Sequence, residues 1–196
     1  MKKLKQALEA AHLIDRLERL SRSADARTGL NPAQWEALRY VACANRFSRS
    51  PAALADYLNS TRGTVSQTLI ALEDKGFIAR KPNVKDRRSV ELVLTDAGQI
   101  ALAKDPLIDL AHDIAADPSA DVETLVVALR AALRQTINRN GGKSFGACHT
   151  CRFFQRGAHK KGATAPHRCG LLDEPLSNAD SLAICMEHQE SVEAGG

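Results

Sequence analysis

Apolar residues recur at helical spacing in two long stretches, residues 1–21 and residues 122–138, with polar and charged residues between them. This pattern predicts two long amphipathic helices. The apolar positions are Leu4, Leu8, Ala11, Ile14, Leu17 and Leu20 in the first stretch and Val122, Leu125, Val126, Leu129, Leu133 and Ile137 in the second. Neither helix can cover such a face by itself, so each is expected to pack against a further surface.

Short polar side chains mark the beginnings of the helices between these two stretches. Asn31 and Ser50 each precede a proline, a combination typical of the first turn of a helix. The second of the two helices is short and is predicted over 51–58. Thr95 can cap a further helix, in which Pro106 is expected to introduce a kink.

A capped helix and a hairpin follow one another in the middle of the chain. Ser60 or Thr61 caps the helix, and Gly76 suits the left-handed residue that ends it. Two short strands, 77–81 and 90–94, are joined by a polar connection. This order of elements is that of a winged helix-turn-helix: a helix, a short helix, a capped helix and a two-stranded hairpin.

The positive charge is concentrated on this element. Residues 61–90 hold seven Lys and Arg against three Asp and Glu, so they account for the whole net charge of +4. Hydroxyl and amide groups at the start of the capped helix can reach phosphates and base edges, and basic groups at the hairpin tip suit a minor groove. The residues predicted to contact double-stranded DNA are Ser60, Thr61, Arg62, Thr64, Ser66, Gln67, Arg80, Lys85, Arg87 and Arg88.

The hairpin continues as Asp-x-Arg, an alternating strand and Leu-Thr-x-x-Gly, from Asp86 to Gly98. With this motif, residues from about 30 to 100 resemble the MarR family of bacterial transcription regulators. The resemblance implies an obligate homodimer on a pseudo-palindromic operator, with the first and last helices as the dimerisation region. It implies that Arg88 enters the minor groove while Asp86 braces the wing. A DNA-binding transcriptional regulator is therefore expected, acting as a repressor, and not an enzyme.

Four of the five cysteines form the pattern C-x2-C-x17-C-x15-C, beginning at Cys148. In a reducing compartment such a cluster indicates thiolate ligands and not disulfides. Zinc would use the close pair Cys148 and Cys151 together with Cys185 and His188. An iron–sulfur cluster would use Cys148, Cys151, Cys169 and Cys185 within the apolar residues that accompany them. The fifth cysteine, Cys43, is expected to be a small buried residue of its helix.

The spacing of the four cysteines also resembles that of high-potential iron–sulfur proteins. There, a C-x2-C pair with aromatic residues precedes two single cysteines at similar separations. The resemblance implies the ligand set Cys148, Cys151, Cys169 and Cys185. We favour an iron–sulfur cluster, 4Fe-4S over 2Fe-2S, with Zn2+ as the alternative cofactor and His188 as an alternative ligand.

The chain of 196 residues thus divides into two parts. Residues 1–142 are expected to form a mainly α winged helix-turn-helix with a small β-wing and two dimerisation helices, and residues 143–196 a small irregular metal or cluster module. Its 44% hydrophobic and 26% charged residues exclude a disordered or fibrous chain. No apolar run is long enough to cross a membrane, and no export signal is recognisable. We therefore expect a cytoplasmic protein without a membrane partner.

Three functions remain open from the sequence. The first is a MarR-type regulator whose operator affinity depends on an iron–sulfur cluster that senses redox state, oxygen or iron. The second is the same regulator with a structural zinc site and a small-molecule effector, such as a phenolic inducer. The third is a redox or electron-transfer protein, which is supported only by the cysteines.

The substitution Arg88→Ala is expected to lower operator affinity sharply, because it removes the cation that the resemblance places in the minor groove. Titration of an operator duplex with the parent and the variant measures this. Equal affinities would show that the wing is assigned wrongly.

Overall fold

The structure is a computed structural model that describes residues 1–23, 29–82, 90–160 and 163–190. Its helices are α1 (Lys2–Ser23), α2 (Pro32–Cys43), α3 (Pro51–Tyr57), α4 (Arg62–Asp74), α5 (Asp96–Leu102), α6 (Pro106–Ala116), α7 (Val122–Arg139) and α8 (Asn178–Leu182). Its strands are β1 (Ile78–Pro82), β2 (Val90–Leu94), β3 (Gly146–Ala147), β4 (Phe154–Gln155), β5 (His167–Cys169), β6 (Glu174–Leu176) and β7 (Ile184–Cys185). The predicted, mainly helical winged fold is confirmed. Within the described ranges, no helix combines the length and apolar character needed to cross a membrane.

The predicted capping residues begin the helices as expected. The Asn31 side chain accepts a hydrogen bond from the backbone N–H of Gln34 at 2.9 Å, and the Gln34 side chain accepts one from the backbone of Asn31 at 3.1 Å. Ser50 caps α3 and Thr95 caps α5, each by accepting one hydrogen bond from a backbone N–H in the first turn of its helix. Each such cap contributes about 1 kcal/mol to helix stability. Gly76 has a positive φ of 74°, as predicted for the turn after α4.

One hydrophobic core holds α2, α3, α4, β1 and β2 together. Its fully buried apolar side chains include Leu38, Val41, Leu54, Val65, Leu69, Leu72, Ile78 and Leu92. Burial of each leucine or isoleucine stabilises the fold by about 1.5–3 kcal/mol. The apolar face of α4, formed by Val65, Leu69 and Leu72, enters this core, so the opposite face of α4 points to solvent.

The wing is a two-stranded antiparallel hairpin. Ile78 lies opposite Leu94 at its base, and Pro82 lies opposite Val90 at the last described pair. Four residues predicted for the tip lie in the connection, outside the described residues: Lys85, Asp86, Arg87 and Arg88.

Pro106 begins a helix instead of kinking one, so that expectation was wrong. The preceding helix, α5, ends at Leu102, and Asp105 caps α6 by accepting a hydrogen bond from the backbone N–H of Leu107 at 2.9 Å. The same carboxylate accepts two hydrogen bonds of 2.6 Å from Arg39 on α2. A bidentate pair to a capping carboxylate fixes the chain direction here, where proline lacks the N–H needed to continue α5.

The two end helices keep their apolar faces exposed in the single subunit. In α7, which lies wholly within the described chain, no residue is buried, and α1 contacts mainly α6. The exposed apolar side chains include Leu4, Leu8, Ile14, Leu17 and Leu20 of α1 and Val122, Leu125, Val126, Leu129 and Leu133 of α7. These are the stripes recognised in the sequence, and one subunit does not cover them.

Residues 143–196, here called the C-terminal module, are more regular than expected. Strands β3 and β7 form one antiparallel pair, and β4, β5 and β6 form a three-stranded sheet in that order. Phe145, Ile184 and Met186 pack against the core of the winged helix. The expectation of an irregular module is corrected accordingly: short strands bring distant residues of this segment side by side.

The packing around α5 predicts the effect of a substitution at Gly98. A side-chain carbon at this position would clash with the carbonyl oxygen of Phe77 and lie 3.3 Å from Leu94. Since that carbonyl is backbone and also accepts a hydrogen bond from Thr95 at 3.2 Å, it cannot easily move. We expect Gly98→Ala to lower the free energy of unfolding by about 1–3 kcal/mol, measured by urea denaturation.

Gly63 in α4 provides the matched control. A side-chain carbon there meets only the Thr61 hydroxyl, at 3.9 Å. We expect Gly63→Ala to raise the free energy of unfolding by about 0.5–1 kcal/mol, because alanine favours helical backbone. Equal effects of the two substitutions would contradict the close approach of α5 to Phe77.

Candidate nucleic-acid interface and cysteine site

The start of α4 presents a row of short polar side chains to solvent. Of the two candidate caps, Thr61 is the one used: its hydroxyl accepts a hydrogen bond from the backbone N–H of Thr64 at 3.1 Å. Ser60 is half-buried, whereas Thr61, Arg62, Thr64, Ser66 and Gln67 are exposed. The structure therefore places these predicted residues together at one end and on one face of α4.

The two predicted arginines flanking this face are held in different ways. The Arg62 side chain is 70% exposed and lies 3.9 Å from the Asp56 carboxylate on α3. Arg80 on β1 is half-buried and pairs with Glu73 on α4 at 3.4 Å. Arg62 is thus free to reach an anion in front of α4, while Arg80 also ties the wing to that helix.

The four clustered cysteines line one pocket in the C-terminal module. Cys148 and Cys151 bracket a single 3-10 turn after β3, Cys169 ends β5 and Cys185 ends β7. Cys148 and Cys185 are buried, and the other two are half-buried. The other lining residues are Phe153, Phe154, Leu171, Leu176 and Glu187. The widely spaced single cysteines therefore meet the C-x2-C pair because the strands fold back, in a largely apolar environment.

Three of these sulfur atoms accept a hydrogen bond from nitrogen. The Asn45 side-chain amide donates to Cys148 Sγ at 3.3 Å. The backbone N–H of Glu187 donates to Cys185 Sγ at 3.4 Å, and that of Gln189 donates to Cys151 Sγ at 3.5 Å. N–H donors favour a thiolate over a thiol, so the pocket suits sulfur in its ligating form.

Cys148 and Cys185 share a proton. The hydrogen bond from Cys148 lowers the pKa of Cys185 to about 6, and the Glu187 N–H acts in the same direction. The same hydrogen bond and burial raise the pKa of Cys148. The pairing therefore favours a thiolate at Cys185 over one at Cys148.

His188, the alternative ligand, does not line the pocket. Its Nε2 lies 2.9 Å from the Thr150 hydroxyl, and its ring covers Gly146, where a side-chain carbon would come within 2.7 Å. Burial lowers the pKa of His188. Among the described residues, no three His, Cys, Asp or Glu side chains are grouped closely enough to hold a metal ion as they stand.

The fifth cysteine, Cys43, is exposed at the end of α2 and not buried as expected. The inward face of α2 ends instead on Val41 and Ala44, which are both buried. Partial burial of the thiol raises the pKa of Cys43, which disfavours the thiolate. It lies outside the cysteine pocket.

The C-terminal module is attached mainly to the winged helix and less to the two long end helices. It docks on residues 44–50, here called the docking loop, which connects α2 to α3. Arg46 binds Asp180 at 2.9 Å and the carbonyl of Pro175 at 2.6 Å. Phe47 packs in the small core around Cys148 and Cys185. Contact with α7 includes the ion pair Arg134–Glu190, at 2.8 Å and about half exposed.

The docking loop was missed by sequence reasoning because its residues read as an ordinary polar connection between two helices. The one available signal was Phe47, an aromatic side chain in an otherwise polar loop. The module reaches the docking loop for a geometric reason. After α7 the chain turns back at Gly141, where φ is 64°, and Phe145 inserts beside Tyr40 and Tyr57.

Comparison with known proteins matches residues 28–89 to the MarR family. The solved structure of the transcriptional regulator BldR from Sulfolobus solfataricus is similar at 25% identity and a TM-score of 0.54, covering 69% of this chain and 99% of that one. Wild-type MarR from E. coli in its apo form is similar at 26% identity and a TM-score of 0.51, covering 64% and 95%. Residues 28–89 of this chain are thus similar to the MarR family, and about two thirds of the chain shares the winged helix-turn-helix fold of these transcriptional regulators.

A MarR transcriptional regulator from Methanosarcina mazei Go1, at 18% identity and a TM-score of 0.55, shares the fold over 70% of this chain and 99% of its own. The search among curated proteins found no match. Because nearly all of BldR is matched by 69% of this chain, about a third of the chain has no counterpart in BldR. The family match covers the winged helix-turn-helix, the part of the chain that the sequence predicts to bind DNA.

The exposed polar side chains of α4 predict that two substitutions lower operator affinity and also change sequence preference. Ser66→Ala and Gln67→Ala should each cost on the order of 1–3 kcal/mol of operator binding and change the preferred sequence, since both side chains can reach base edges. Thr68→Ala is the control, because its hydroxyl already donates to the Thr64 carbonyl at 3.1 Å. Competition titrations with a panel of operator variants measure both effects. Unchanged sequence preference in both variants would remove α4 as the reading helix.

Proposed function

We propose that this protein is a MarR-type transcriptional regulator that binds a pseudo-palindromic operator as a homodimer and represses transcription. We further propose that an iron–sulfur cluster held by Cys148, Cys151, Cys169 and Cys185 modulates its operator affinity in response to redox state, oxygen or iron. The observation that carries the proposal is the convergence of all four cysteines on one apolar pocket, together with a hydrogen bond from the winged helix to one of them.

The DNA-binding part of the proposal is supported by the exposed polar face of α4 and by the location of the net charge. The whole charge of +4 belongs to residues 61–90, which contain α4 and the wing. Attraction to phosphates is then concentrated on one side of an otherwise neutral chain.

The homodimer is supported by the uncovered faces of α1 and α7. Exposed apolar patches of this extent mark protein–protein contacts. A second copy of the chain supplies an equally apolar partner surface, and a symmetric dimer matches an operator with two half-sites.

The cluster is supported by the chemistry of the donor set. Four thiols are the usual ligands of an iron–sulfur cluster, and N–H groups directed at sulfur and apolar walls are the surroundings that tune it. When bound, the cluster supplies a centre whose charge changes on oxidation or loss. The four cysteines would hold it, and Phe153, Phe154, Leu171 and Leu176 would keep water away. We favour 4Fe-4S over 2Fe-2S.

A zinc site with a small-molecule effector is the second candidate. It is favoured by the tight turn in which the Cys148 carbonyl accepts a hydrogen bond from the Cys151 N–H at 3.0 Å, since zinc ligands often occur as such close pairs. The third cysteine-based function, electron transfer, has no support from the family match.

Anaerobic purification followed by absorption spectroscopy and analysis of iron, sulfide and zinc tests the cofactor. A 4Fe-4S cluster predicts a brown protein with about four iron and four sulfide per chain. Cys169→Ser should lose the colour, whereas Cys43→Ser should keep it, because Cys43 lies outside the pocket. A colourless protein with one zinc per chain would replace the cluster by the second candidate.

Operator binding tests the sensing function. An operator selected from a random duplex library should bind the loaded and the cluster-free protein with affinities that differ by about 5–150-fold, the usual range of allosteric coupling. Equal operator affinities of the loaded and the cluster-free protein would contradict the sensing function without affecting the DNA-binding function.

A further inference from the structure

The docking loop, residues 44–50, reaches the cysteine pocket with two buried polar side chains. Asn45 is 1% exposed and Ser48 is 0% exposed. The Asn45 amide donates to Cys148 Sγ at 3.3 Å, and its oxygen accepts a hydrogen bond from the Phe47 backbone at 3.1 Å. Asn45 therefore belongs to the surroundings of the pocket although it lies on the winged helix.

Ser48 contacts the chain next to Cys185, the second buried cysteine of the pocket. Its hydroxyl accepts a hydrogen bond from the backbone N–H of Met186, next to Cys185, at 2.9 Å. The backbone N–H of Asn45 donates to the carbonyl of Ile184 at 2.8 Å on the other side of that cysteine. The two residues flanking Cys185 are thus both hydrogen-bonded to the docking loop.

The opposite end of the docking loop is bonded to the DNA-binding elements. The Arg49 carbonyl accepts a hydrogen bond of 2.7 Å from Leu92 on wing strand β2. Ser50 caps α3, the helix that packs against α4. Arg49 also donates to the Ala44 carbonyl at 2.9 Å, which closes the loop on itself. A displacement at Asn45 or Ser48 is therefore passed over a few bonds to the wing and to the α3–α4 pair.

We propose that Asn45 and Ser48 are positioning residues of the cysteine site and that the docking loop transmits the state of this site to the wing and α4 of the same subunit. The proposal rests on the proposed function, because it assigns the route by which a cluster at the four cysteines acts on DNA affinity. It deepens that function by naming the element that transmits the state of the site.

The competing route runs through α7, where Arg134 pairs with Glu190. Both side chains of this pair are about half exposed, 53% and 54%. An ion pair with that exposure contributes little, because solvent and salt screen it. The hydrogen bonds of Asn45 and Ser48 are buried, and breaking one of them leaves an unpaired polar group in the interior. A change in the pocket therefore acts more strongly on the docking loop than on α7.

The test uses the full-length protein with its cofactor and compares Asn45→Ala and Ser48→Ala with the control Arg134→Gln. The first readout is the reduction potential of the loaded protein. An N–H donor to sulfur stabilises the reduced, more negative state and raises the potential. Asn45→Ala should therefore lower the potential, and Arg134→Gln should leave it unchanged. An unchanged potential in Asn45→Ala would overturn its role as a positioning residue.

The second readout is the ratio of operator affinities between the loaded and the cluster-free protein. We expect the parental ratio to fall towards one in Asn45→Ala and Ser48→Ala and to persist in Arg134→Gln. A ratio that persists in both loop variants, or is lost only in Arg134→Gln, would overturn transmission by the docking loop. A parental ratio of one would instead overturn the proposed function, and the transmission route with it, so the two failures are distinguishable.

Ser48→Ala is included in case Asn45→Ala fails to fold, because it removes only a single hydroxyl oxygen. Thermal unfolding and operator binding of the cluster-free proteins control for folding. Each variant should unfold cooperatively, at a somewhat lower temperature than the parent because a buried group loses its partner, and its operator affinity should match that of the parent. Since coupling is reciprocal, bound operator should shift the affinity for the cluster, measured by competition with a chelator, in the parent and in Arg134→Gln but not in Ser48→Ala. An operator-induced shift that remains in Ser48→Ala contradicts the proposal.

Discussion

Burial of apolar side chains from α2, α3 and α4 in a single core is the constraint on which the other parts of this subunit depend. Leu38, Leu54 and Leu69 are fully buried where the three helices meet. Their burial turns the opposite face of α4 outward and provides the surface on which the wing strands rest. Phe145, Ile184 and Met186 of the C-terminal module pack against the same core. The DNA-binding helix and the cysteine pocket are therefore attached to one rigid body.

Polar contacts then determine where on this core each part is attached. A hydrophobic contact has no direction, whereas Arg46 reaches both a carboxylate and a carbonyl of the C-terminal module, and Asn45 selects one sulfur atom. On the other side of the winged helix, Arg39 and Asp105 fix the start of α6. Buried or half-buried hydrogen bonds of this kind specify a single arrangement, because any other arrangement leaves the groups unpaired. The module is thus oriented with its cysteines facing the docking loop.

This arrangement separates the uncovered faces of the two end helices from the place where the C-terminal module is attached. The uncovered faces of α1 and α7 remain available for a partner subunit, while the added module occupies the α2–α3 connection. The module therefore adjoins the wing and α3 directly. Under the proposed function, its effect on DNA affinity requires no change in the contact between subunits.

Local chemistry determined most of the winged helix from the sequence alone. Asn31, Ser50 and Thr95 begin their helices wherever the rest of the chain lies, because a capping side chain acts within one turn. The stripe of Val65, Leu69 and Leu72 likewise identifies the inward face of α4. The four cysteines were recognisable as a group by their spacing. Only the tertiary structure decided that Pro106 starts a helix, that Cys43 is exposed, and that Asn45 and Ser48 adjoin the pocket. Those outcomes depend on contacts between residues more than sixty positions apart, as in Arg39–Asp105 and Asn45–Cys148, and a local pattern carries no record of such partners.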